Sequence, residues 1–349
     1  MKLNFYSIKN DVYREEAKPS YASASSGVSA SGMSLLDELR SLGRKKIVES
    51  KHGDISSFNF SRDVFSSGDW SSLSKLARGL FIDTKTGEIV ARGYEKFFNY
   101  KENGFNTDAF LMDNLEFPVV AYKKYNGFLG LVGVFNHKLL FCSKSQVDGP
   151  HAKWLEEIFC SKVSKEKRDI LAEILDEENL CLVLEVIDPE NDPHIVKYSE
   201  KDVVLLSCLK RTRELEELPY EKIRDDFAKW LGIRCKEAAA VIEDKRALAA
   251  FIAEKTNGIE PQAEGYVLED AKKYQFKLKG KWYKTWKFLR SFVPRVASGH
   301  QYSTSGFTTP LMNNFLGWMK SKDREWLKAQ DIITLRDLFY QETGEKDLC

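Results

Sequence analysis

The sequence has few of the residues that build metal and redox sites. Its 349 residues include five histidines and six cysteines, and no two cysteines form a C-x-x-C pair. The histidines are also dispersed, which argues against a zinc site. Most cysteines stand in apolar runs, as is typical of small core residues in a reducing compartment.

Long apolar runs and glycine-rich phosphate loops are missing as well. No stretch predicts a membrane span, and the polar N-terminus does not have the form of a signal peptide. We therefore expect a cytoplasmic protein without a membrane partner. Neither G-x-x-x-x-G-K nor G-x-G-x-x-G occurs, so a nucleotide would bind without a P-loop or a Rossmann turn. The net charge of +1 leaves only a local patch to attract a polyanion.

What the sequence does contain is a series of short apolar runs separated by glycine, asparagine and aspartate. These runs predict strands, and helical periodicity between them predicts helices. The predicted strands are 79–83, 88–92, 119–123, 128–134, 138–144, 180–187, 203–209, 265–269 and 274–279. The predicted helices are 35–48, 152–161, 165–177, 220–231, 236–255, 286–292, 310–322 and 323–343.

This order of elements predicts an α+β fold. Mostly antiparallel sheets are followed by a small all-helical C-terminal domain. We expect an N-terminal part at 1–75 with a flexible Ser/Ala/Gly loop at 22–34, a core at 76–285 and the helical domain at 286–349.

The most informative motif is Lys124-Tyr125-Asn126-Gly127, which stands between two predicted apolar strands. A lysine at such a turn loses hydration, and this favours the neutral amine that can act as a nucleophile. A surface hairpin with an Asn-Gly turn explains the four residues alone more simply. The residues that follow favour the chemical interpretation.

Two carboxylates and two lysines follow in an order that suits covalent nucleotide transfer. Glu185 lies inside an apolar predicted strand, where an unpaired charge is costly, and Glu264 begins another strand. Lys277 and Lys279 are two residues apart on a strand, so both can address one phosphate cluster and lower the pKa of Lys124. Alone, Glu185 also fits a structural ion pair, and the lysines also fit a solvated edge strand.

A basic and aromatic segment extends over residues 279–290. Its cations and rings suit a nucleic-acid groove, where lysines bind phosphates and aromatic rings stack on bases. They equally suit a helix whose rings face the core while its lysines reach solvent. The sequence leaves both interpretations open.

These motifs together resemble those of the phage-type RNA ligase 1 family. This ATP-dependent family belongs to the covalent nucleotidyltransferases, with DNA ligases and mRNA capping enzymes. Fungal tRNA ligases carry a similar K-x-N-G and K-F-F-N. The similarity covers residues 75–285, and its motifs are Ala77-Arg78-Gly79, Glu95-Lys96-Phe97-Phe98-Asn99, Lys124-Tyr125-Asn126-Gly127, Phe141-Cys142-Ser143-Lys144, Leu184-Glu185-Val186, Glu264-Gly265-Tyr266-Val267 and Phe276-Lys277-Leu278-Lys279.

The resemblance implies a nucleotidyltransferase (ligase adenylation) domain with a three-step reaction. Lys124 would attack ATP to give lysyl-AMP, and the AMP would pass to the 5′-phosphate of an RNA end. A 3′-hydroxyl would then displace AMP and seal the strand. Mg²⁺ is the expected ion, with Mn²⁺ as the alternative. RNA repair on cleaved tRNA is the expected task, with a separate kinase or phosphatase to prepare the ends.

The resemblance also gives each residue a role. Glu264 would orient hydrated metal, Glu185 would contact the AMP ribose, and Lys277 and Lys279 would hold the α-phosphate. Asn126 stands where the family commonly has Asp, which leaves the metal's surroundings in question. The remaining nucleotide-binding candidates are Arg78, Lys96, Phe98, Asn126, Gly127, Lys144 and Val267.

Two other functions fit parts of this pattern. One is a guanylyl- or DNA-directed nucleotidyltransferase of the same superfamily. The other is a catalytically idle relative that only binds RNA through its basic and aromatic segment.

Overall fold

The computed structural model describes residues 33–301 and 303–346. Most of the predicted loop at 22–34 lies outside the described residues. Strands and helices alternate as far as residue 279, and helices follow. None of the described helices is both long and apolar enough to cross a bilayer.

The strands include those predicted and four short ones besides. They are β1 (Ile47–His52), β2 (Ile55–Phe60), β3 (Arg78–Asp83), β4 (Ile89–Arg92), β5 (Val119–Lys123), β6 (Phe128–Phe135), β7 (Lys138–Cys142), β8 (Leu180–Ile187), β9 (Asp202–Lys210), β10 (Arg234–Cys235), β11 (Ala238–Ile242), β12 (Gly265–Glu269) and β13 (Gln275–Lys279).

The helices of the described residues range from 3 to 18 residues, and Lys281–Ser298 is the longest. They are α1 (Leu35–Ser41), α2 (Arg62–Ser67), α3 (Ser72–Leu76), α4 (Asp108–Asn114), α5 (Pro150–Lys162), α6 (Lys165–Glu177), α7 (Lys229–Leu231, which continues a π-helical stretch at Lys222–Ala228), α8 (Lys245–Asn257), α9 (Lys281–Ser298), α10 (Pro310–Lys320), α11 (Arg324–Lys328) and α12 (Ile332–Thr343).

In the described part of the chain these strands form three sheets. Their orders are β1-β2-β3-β4, β10-β9-β8-β6-β7 and β11-β5-β12-β13. Neighbouring strands of the first and third sheets are antiparallel, and so are β6 and β7. The predicted α+β class with mostly antiparallel sheets is confirmed.

The chain divides into two compact units, each made of separate segments. Within the described residues, unit 1 contains 33–96, 130–184 and 205–235, and unit 2 contains 97–129, 185–204 and 236–346. The domain limits predicted from the sequence follow chain order instead, and they stay a prediction.

Unit 1 has an apolar core beneath its four-stranded sheet. Leu39 of α1 packs there with Phe58 of β2 and Leu80 of β3, and all three side chains are fully buried. Ser34 caps α1 by accepting the Asp37 N–H. The cap satisfies one backbone donor at the start of the helix, and the apolar face of α1 closes the core.

In unit 2 the third sheet has one apolar face and one polar face. Leu268 of β12 and Phe276 and Leu278 of β13 alternate with residues of the other face, and they pack with Leu248 of α8. Side chains two apart on a strand share a face. The opposite face therefore carries Val267, Lys277 and Lys279, and these are the residues of interest.

Unit 2 also contains a helical core formed largely by α9, α10 and α12. Trp282 and Trp286 are fully buried, and the Trp286 ring meets the Phe315 ring edge-on at 5.2 Å between centroids. Tyr283 is 5% exposed. Three rings of the basic and aromatic segment therefore belong to the core, whereas the fourth, Phe288, is half-buried.

Three predicted helices are wrong in part, and one of them is 323–343, which forms two helices, α11 and α12, separated at residues 329–331. The segment 236–255 begins as strand β11, which pairs with β5, and helix α8 starts only at Lys245 after the cap Asp244. Alanine favours helices, but pairing with a sheet edge overrides a propensity of under 1 kcal/mol per residue. Likewise, the predicted helix 35–48 ends at Ser41, and Ile47 begins β1.

Candidate active site

A buried carboxylate at the start of β12 organises the polar face of unit 2. Glu264 is 3% exposed, and its Oε1 lies 3.2 Å from Lys124 Nζ and 2.8 Å from Lys279 Nζ. The two lysines reach it from different strands, because Lys124 follows β5 directly and Lys279 ends β13. The carboxylate therefore compensates two positive charges in a shielded position.

The position of Lys124 follows from the pairing of β5 with β12. Its backbone N–H donates to Gly265 O at 2.9 Å, and this bond extends the β5–β12 ladder by one residue. The Nζ also donates to Tyr125 O at 3.2 Å, and the side chain is 18% exposed. The amine is therefore sheltered, and a carboxylate beside it favours its charged form in this state.

The electrostatics of Glu264 are set by opposing effects. Burial would raise the pKa of this carboxyl, but the charges of Lys124 and Lys279 and their hydrogen bonds hold its pKa below the ordinary value of 4.5. The carboxylate is thus ionised at neutral pH despite its burial.

Lys277 takes a different direction from Lys279. Its Nζ donates to Phe97 O at 3.2 Å and lies 4.0 Å from the centroid of the Phe97 ring. Lys277 pairs in register with Val267, and the side chain of Val267 is half-buried on the same face. Phe98 is 6% exposed and stacks on Phe105 at 3.9 Å between centroids, so its ring packs within unit 2.

The turn after Lys124 is held against β8 by a glycine. Gly127 N–H donates to Glu185 Oε1 at 2.8 Å. A Cβ at Gly127 would lie only 1.9 Å from Val186 O, so no larger residue fits without backbone movement. This hydrogen bond is the partner that the half-buried Glu185 needs, and it differs from the structural ion pair that the sequence also allowed.

Asn126 is buried and uses every polar atom of its side chain. Its Oδ1 accepts the backbone N–H groups of Ile195 and Val196, both at 3.0 Å. Its Nδ2 donates to Glu264 Oε2 at 2.8 Å and to Tyr283 Oη at 3.4 Å. An aspartate could accept the two N–H groups, but it would turn a second oxygen towards Glu264.

Sequence reasoning missed the partners that surround Asn126. Tyr198 Oη accepts the Asn126 backbone N–H at 3.0 Å, and Tyr198 and Tyr283 both stand beside the buried carboxylate. Burial raises the pKa of both phenols, so both stay neutral. Tyr283 was visible as part of the basic and aromatic segment. The irregular segment 195–198 carries no local pattern that could have marked it.

The other cations singled out by the sequence lie in unit 1. Lys96 Nζ is 5.5 Å from the Trp70 ring centroid, and Lys144 Nζ is 4.9 Å from that of Phe60. Burial, followed by the charge of Arg78, lowers the pKa of Lys144. Arg78 Nη1 donates to Tyr94 O at 3.3 Å. Unit 1 thus has its own cationic group on an aromatic cluster.

Unit 2 has a cleft of about 510 Å³ beside Lys279. Burial and the charge of Lys279 lower the pKa of both Lys284 and Lys287, which α9 contributes to its wall. The cleft is lined by four lysines and one carboxylate, that of Glu102, so its net charge is positive and would attract an anion. The lining residues are Asn99, Tyr100, Glu102, Lys277, Lys279, Lys284, Lys287, Phe288 and Ser291.

The residues of unit 2 fit a divalent cation only together with a phosphate ligand. In the described part of the chain, no three histidine, cysteine, aspartate or glutamate side chains converge on one point. Glu264 can offer one carboxylate, and its oxygens face Lys124, Lys279 and Asn126. Mg²⁺ in proteins is usually coordinated in this way, by one or two carboxylates together with phosphate oxygens and water.

The packing of Gly127 against β8 leads to a stability prediction. We expect Gly127→Ala to lower the free energy of unfolding by about 1–3 kcal/mol, because its Cβ would overlap Val186 O. Gly280→Ala is the matched control, since a Cβ there meets nothing within 4 Å. Denaturant unfolding of the two variants measures the difference, and equal midpoints would contradict it.

The lowered pKa of Glu264 leads to a prediction about pH. A carboxyl whose pKa is depressed by folding adds stability above its unfolded pKa, and this stability is lost as the pH falls through the folded value. We expect Glu264→Gln to destabilise the protein at pH 7 and to approach wild-type stability below pH 4.5, the ordinary value. Denaturant unfolding midpoints of the variant and the wild type, measured at pH 7 and again below pH 4.5, test this. A constant difference would show that the charge of Glu264 is not what stabilises the fold.

The sequence has relatives among the RNA and tRNA ligases. Residues 76–283 match a family model described as RNA ligase. The chain is 31% identical over 148 residues to tRNA ligase 1 of Schizosaccharomyces pombe and 27% identical over 185 residues to the tRNA ligase of Candida albicans. These matches cover 38% and 45% of this chain but only 19% and 22% of the relatives, so the chain spans about a fifth of their length.

Solved structures share the fold at low sequence identity. A putative ATP-dependent DNA ligase from Aquifex aeolicus has a TM-score of 0.53 at 14% identity, over 89% of this chain and 75% of that one. An archaeal ATP-dependent RNA ligase has a TM-score of 0.51 at 14% identity, over 89% and 79%. These likenesses confirm the predicted nucleotidyltransferase (ligase adenylation) fold. Since the family model matches well over half of the sequence, the chain belongs to the phage-type RNA ligase 1 family.

Proposed function

We propose that the chain is an ATP-dependent RNA ligase that joins 5′-phosphate and 3′-hydroxyl RNA ends through lysyl-AMP and RNA-adenylate. Membership of the family supports this proposal. The observation that carries it is the sheltered Lys124 amine, 3.2 Å from a buried carboxylate that also holds Lys279.

The first step forms a bond between the Lys124 Nζ and the α-phosphorus of ATP. The bond from that phosphorus to the α,β-bridging oxygen breaks, pyrophosphate leaves, and Nζ loses a proton. An ammonium has no lone pair to attack with, so Lys124 must give up a proton before or during the step. Its pairing with Glu264 holds the amine in place until the triphosphate arrives.

The lysines of β13 stabilise the negative charge that develops on the phosphates. Lys279 already stands 2.8 Å from the same carboxylate, and Lys277 lies next to Val267 in register. Cations that are fixed in advance lower the barrier, because no reorganisation is needed when the charge develops. Val267 then offers an apolar surface to the adenine, and Glu185 remains the candidate for the ribose.

A divalent cation would supply charge neutralisation at the phosphates when it is bound. Glu264 is the residue that would hold it, with nucleotide oxygens as the other ligands. We propose Mg²⁺, with Mn²⁺ as the alternative. The Asn126 amide adds no negative charge there, so its task is to orient Glu264.

The resemblance to the family also gives roles to the cationic group of unit 1. Arg78 and Lys96 would assist the leaving phosphates or the ribose, and Lys144 would contact a phosphate. The lowered pKa of Lys144 beside Arg78 supports an anion as a ligand of this group. Phe98 belongs to unit 2, where it stacks on Phe105, and it stays a candidate for contact with the nucleotide.

The lysine cleft of unit 2 is the proposed place for the RNA end. Lys277 and Lys279 line it, and Lys279 also stands beside the reacting lysine, so a bound 5′-phosphate would lie close to the transferred AMP. Lys284 and Lys287 extend the positive surface along α9. Phosphate contacts of this kind position a nucleic acid without reading its sequence.

The physiological RNA is proposed from the relatives. The two fungal relatives are named tRNA ligases, which supports a cleaved tRNA as the substrate and RNA repair as the task. With no P-loop in the sequence, a separate kinase or phosphatase would prepare the ends. We propose the cytoplasm as the place of action.

A labelling experiment tests the proposed function. Wild-type protein incubated with α-labelled ATP and Mg²⁺ is expected to carry label through a denaturing gel, because the nucleotide is bound covalently. Lys124→Arg keeps the charge but lacks a usable nucleophile, so its label is expected to fall to background. Lys123→Ala is the matched control, since Lys123 is exposed and pairs with Glu237.

Three results would contradict the proposal in different ways. Unlabelled wild type in any divalent metal, with RNA affinity retained, would indicate a non-catalytic RNA-binding relative. Label from GTP instead of ATP, or sealing of nicked DNA instead of broken RNA, would indicate a cap- or DNA-directed enzyme. Equal label on Lys124→Arg would place the nucleophile elsewhere.

The cleft is tested by separating ligation from self-labelling. We expect Lys284→Ala with Lys287→Ala to lower the sealing of 5′-phosphorylated RNA about tenfold or more, since removing one phosphate-binding cation weakens binding by roughly 1 kcal/mol. Self-labelling with ATP is expected to stay within about threefold. Lys281→Ala on the same helix is the control, because Lys281 is exposed and does not line the cleft. An equal decrease in both steps would assign the cleft to ATP instead.

A further inference from the structure

The segment around Ile195 connects the helical core of unit 2 to the candidate site. The side chains of Ile195 and Val196 are 1% and 5% exposed, and they pack in the core that α9, α10 and α12 form. Their backbone N–H groups both donate to Asn126 Oδ1 at 3.0 Å. One short segment therefore contacts the helices with its side chains, and with its backbone it contacts Asn126 in the turn after Lys124.

Asn126 continues this connection to the buried carboxylate. Its Nδ2 donates to Glu264 Oε2 at 2.8 Å, and the other oxygen of Glu264 lies 3.2 Å from Lys124 Nζ. Two N–H donors on one side and a carboxylate on the other require a group that accepts at one end and donates at the other. An amide does this and a carboxylate does not.

Arg336 of α12 stands at the opposite end of the connection. It is 1% exposed, and its Nη1 donates to Ile195 O at 2.7 Å. The guanidinium lies 5.1 Å from the Trp282 ring centroid and 5.7 Å from that of Trp286. A charge this deep is costly to desolvate, and a methionine would fill the same space without that cost. Its Nε lies 3.5 Å from Asp337 Oδ1, and its Nη1 is directed at the Ile195 carbonyl.

The hydrogen bonds join into one continuous series, which we call the amide series. The Ile195 carbonyl and the Val196 N–H belong to the same peptide group. Arg336 therefore donates to a peptide, the peptide donates to the Asn126 amide, and that amide donates to Glu264. Each hydrogen bond in such a series strengthens the next by polarising it, and here the series begins at a buried positive charge and ends at a buried negative one.

We propose that Arg336, acting through the amide series, is a positioning residue for Glu264 and thereby for the Lys124 amine. The proposal rests on the proposed function, because it concerns the step that forms lysyl-AMP. The C-terminal helices then serve this first step, in addition to any part they have in selecting RNA. Asn at position 126 is a requirement of the series, since Asp would interrupt it.

The experiment measures lysyl-AMP formation in the absence of RNA, so that RNA binding does not enter. Arg336→Met is expected to lower the rate constant about 10- to 100-fold, the usual effect of removing a residue that orients a ligand. The KM for ATP is expected to change less than about threefold, because Arg336 does not face the nucleotide. Arg336→Lys keeps a charge and a donor, and it is expected to recover much of the rate.

Gln341→Ala provides a matched control on the same helix. Gln341 lies on α12, one turn beyond Arg336, and its side chain is exposed. Truncating an exposed side chain changes little, so the rate is expected to stay within about twofold of wild type. A decrease as large as that of Arg336→Met would mean that any disturbance of α12 suffices, and it would overturn the proposal.

A double-mutant cycle distinguishes the series from general damage. Asn126→Asp alone is expected to slow the step. In that background Arg336→Met is expected to slow it less than about threefold more, because the series is already broken. Effects that multiply would show that the two residues act separately and would overturn the proposal. Arg336→Gln replaces Arg336→Met in the cycle if the methionine variant does not fold.

The same four proteins are also unfolded by denaturant without ATP. The shifts of their unfolding midpoints are expected to be non-additive, because the amide series exists before any nucleotide binds. Additive shifts would overturn the proposal whatever the rates show. Wild-type protein that forms no lysyl-AMP would overturn the proposed function alone, and the series would then stand or fall on this measurement.

Discussion

The site in unit 2 depends on one buried carboxylate that is shared by two lysines. Alone in this place, an ionised glutamate would carry a desolvation cost of several kcal/mol, so its environment must supply compensating charge. Lys124 and Lys279 supply it from two strands, and Asn126 completes the hydrogen bonds of the carboxylate. The ends of β5, β12 and β13 are thus drawn together, and the Lys124 amine is fixed in the process.

The parts of this arrangement that have a local pattern could be predicted from the sequence. Alternation along β13 places Lys277 and Lys279 on one face, and Lys124 follows an apolar strand directly. Asn126 and Arg336 could not be connected in this way. Ile195 is 69 positions from Asn126 and 141 positions from Arg336. No periodicity marks the irregular segment in which Ile195 lies.

The fold shows the same division between local and distant causes. Apolar runs marked most strands, because burial on both faces leaves a nearly continuous apolar sequence such as that of β8, in which Glu185 is the one charged residue. Strand β11 was mistaken for helix since its alanines favour that state locally, whereas its pairing with β5 is decided by distant residues. For the segment 279–290, the sequence allowed two orientations of its rings, and only packing against α10 and α12 decided between them.

The order of the third sheet has a consequence for how the chain is made. Strand β5 pairs with β11 and β12, which begin 115 and 142 residues after its end at Lys123. During synthesis from the N-terminus, the turn at residues 124–127 therefore leaves the ribosome long before the strands that hold it. Contacts so distant in sequence form slowly, and an apolar strand with unsatisfied edges is exposed to mispairing meanwhile. Slow translation before β12 would prolong that vulnerable interval. A chaperone that covers residues 119–123 would prevent mispairing during it.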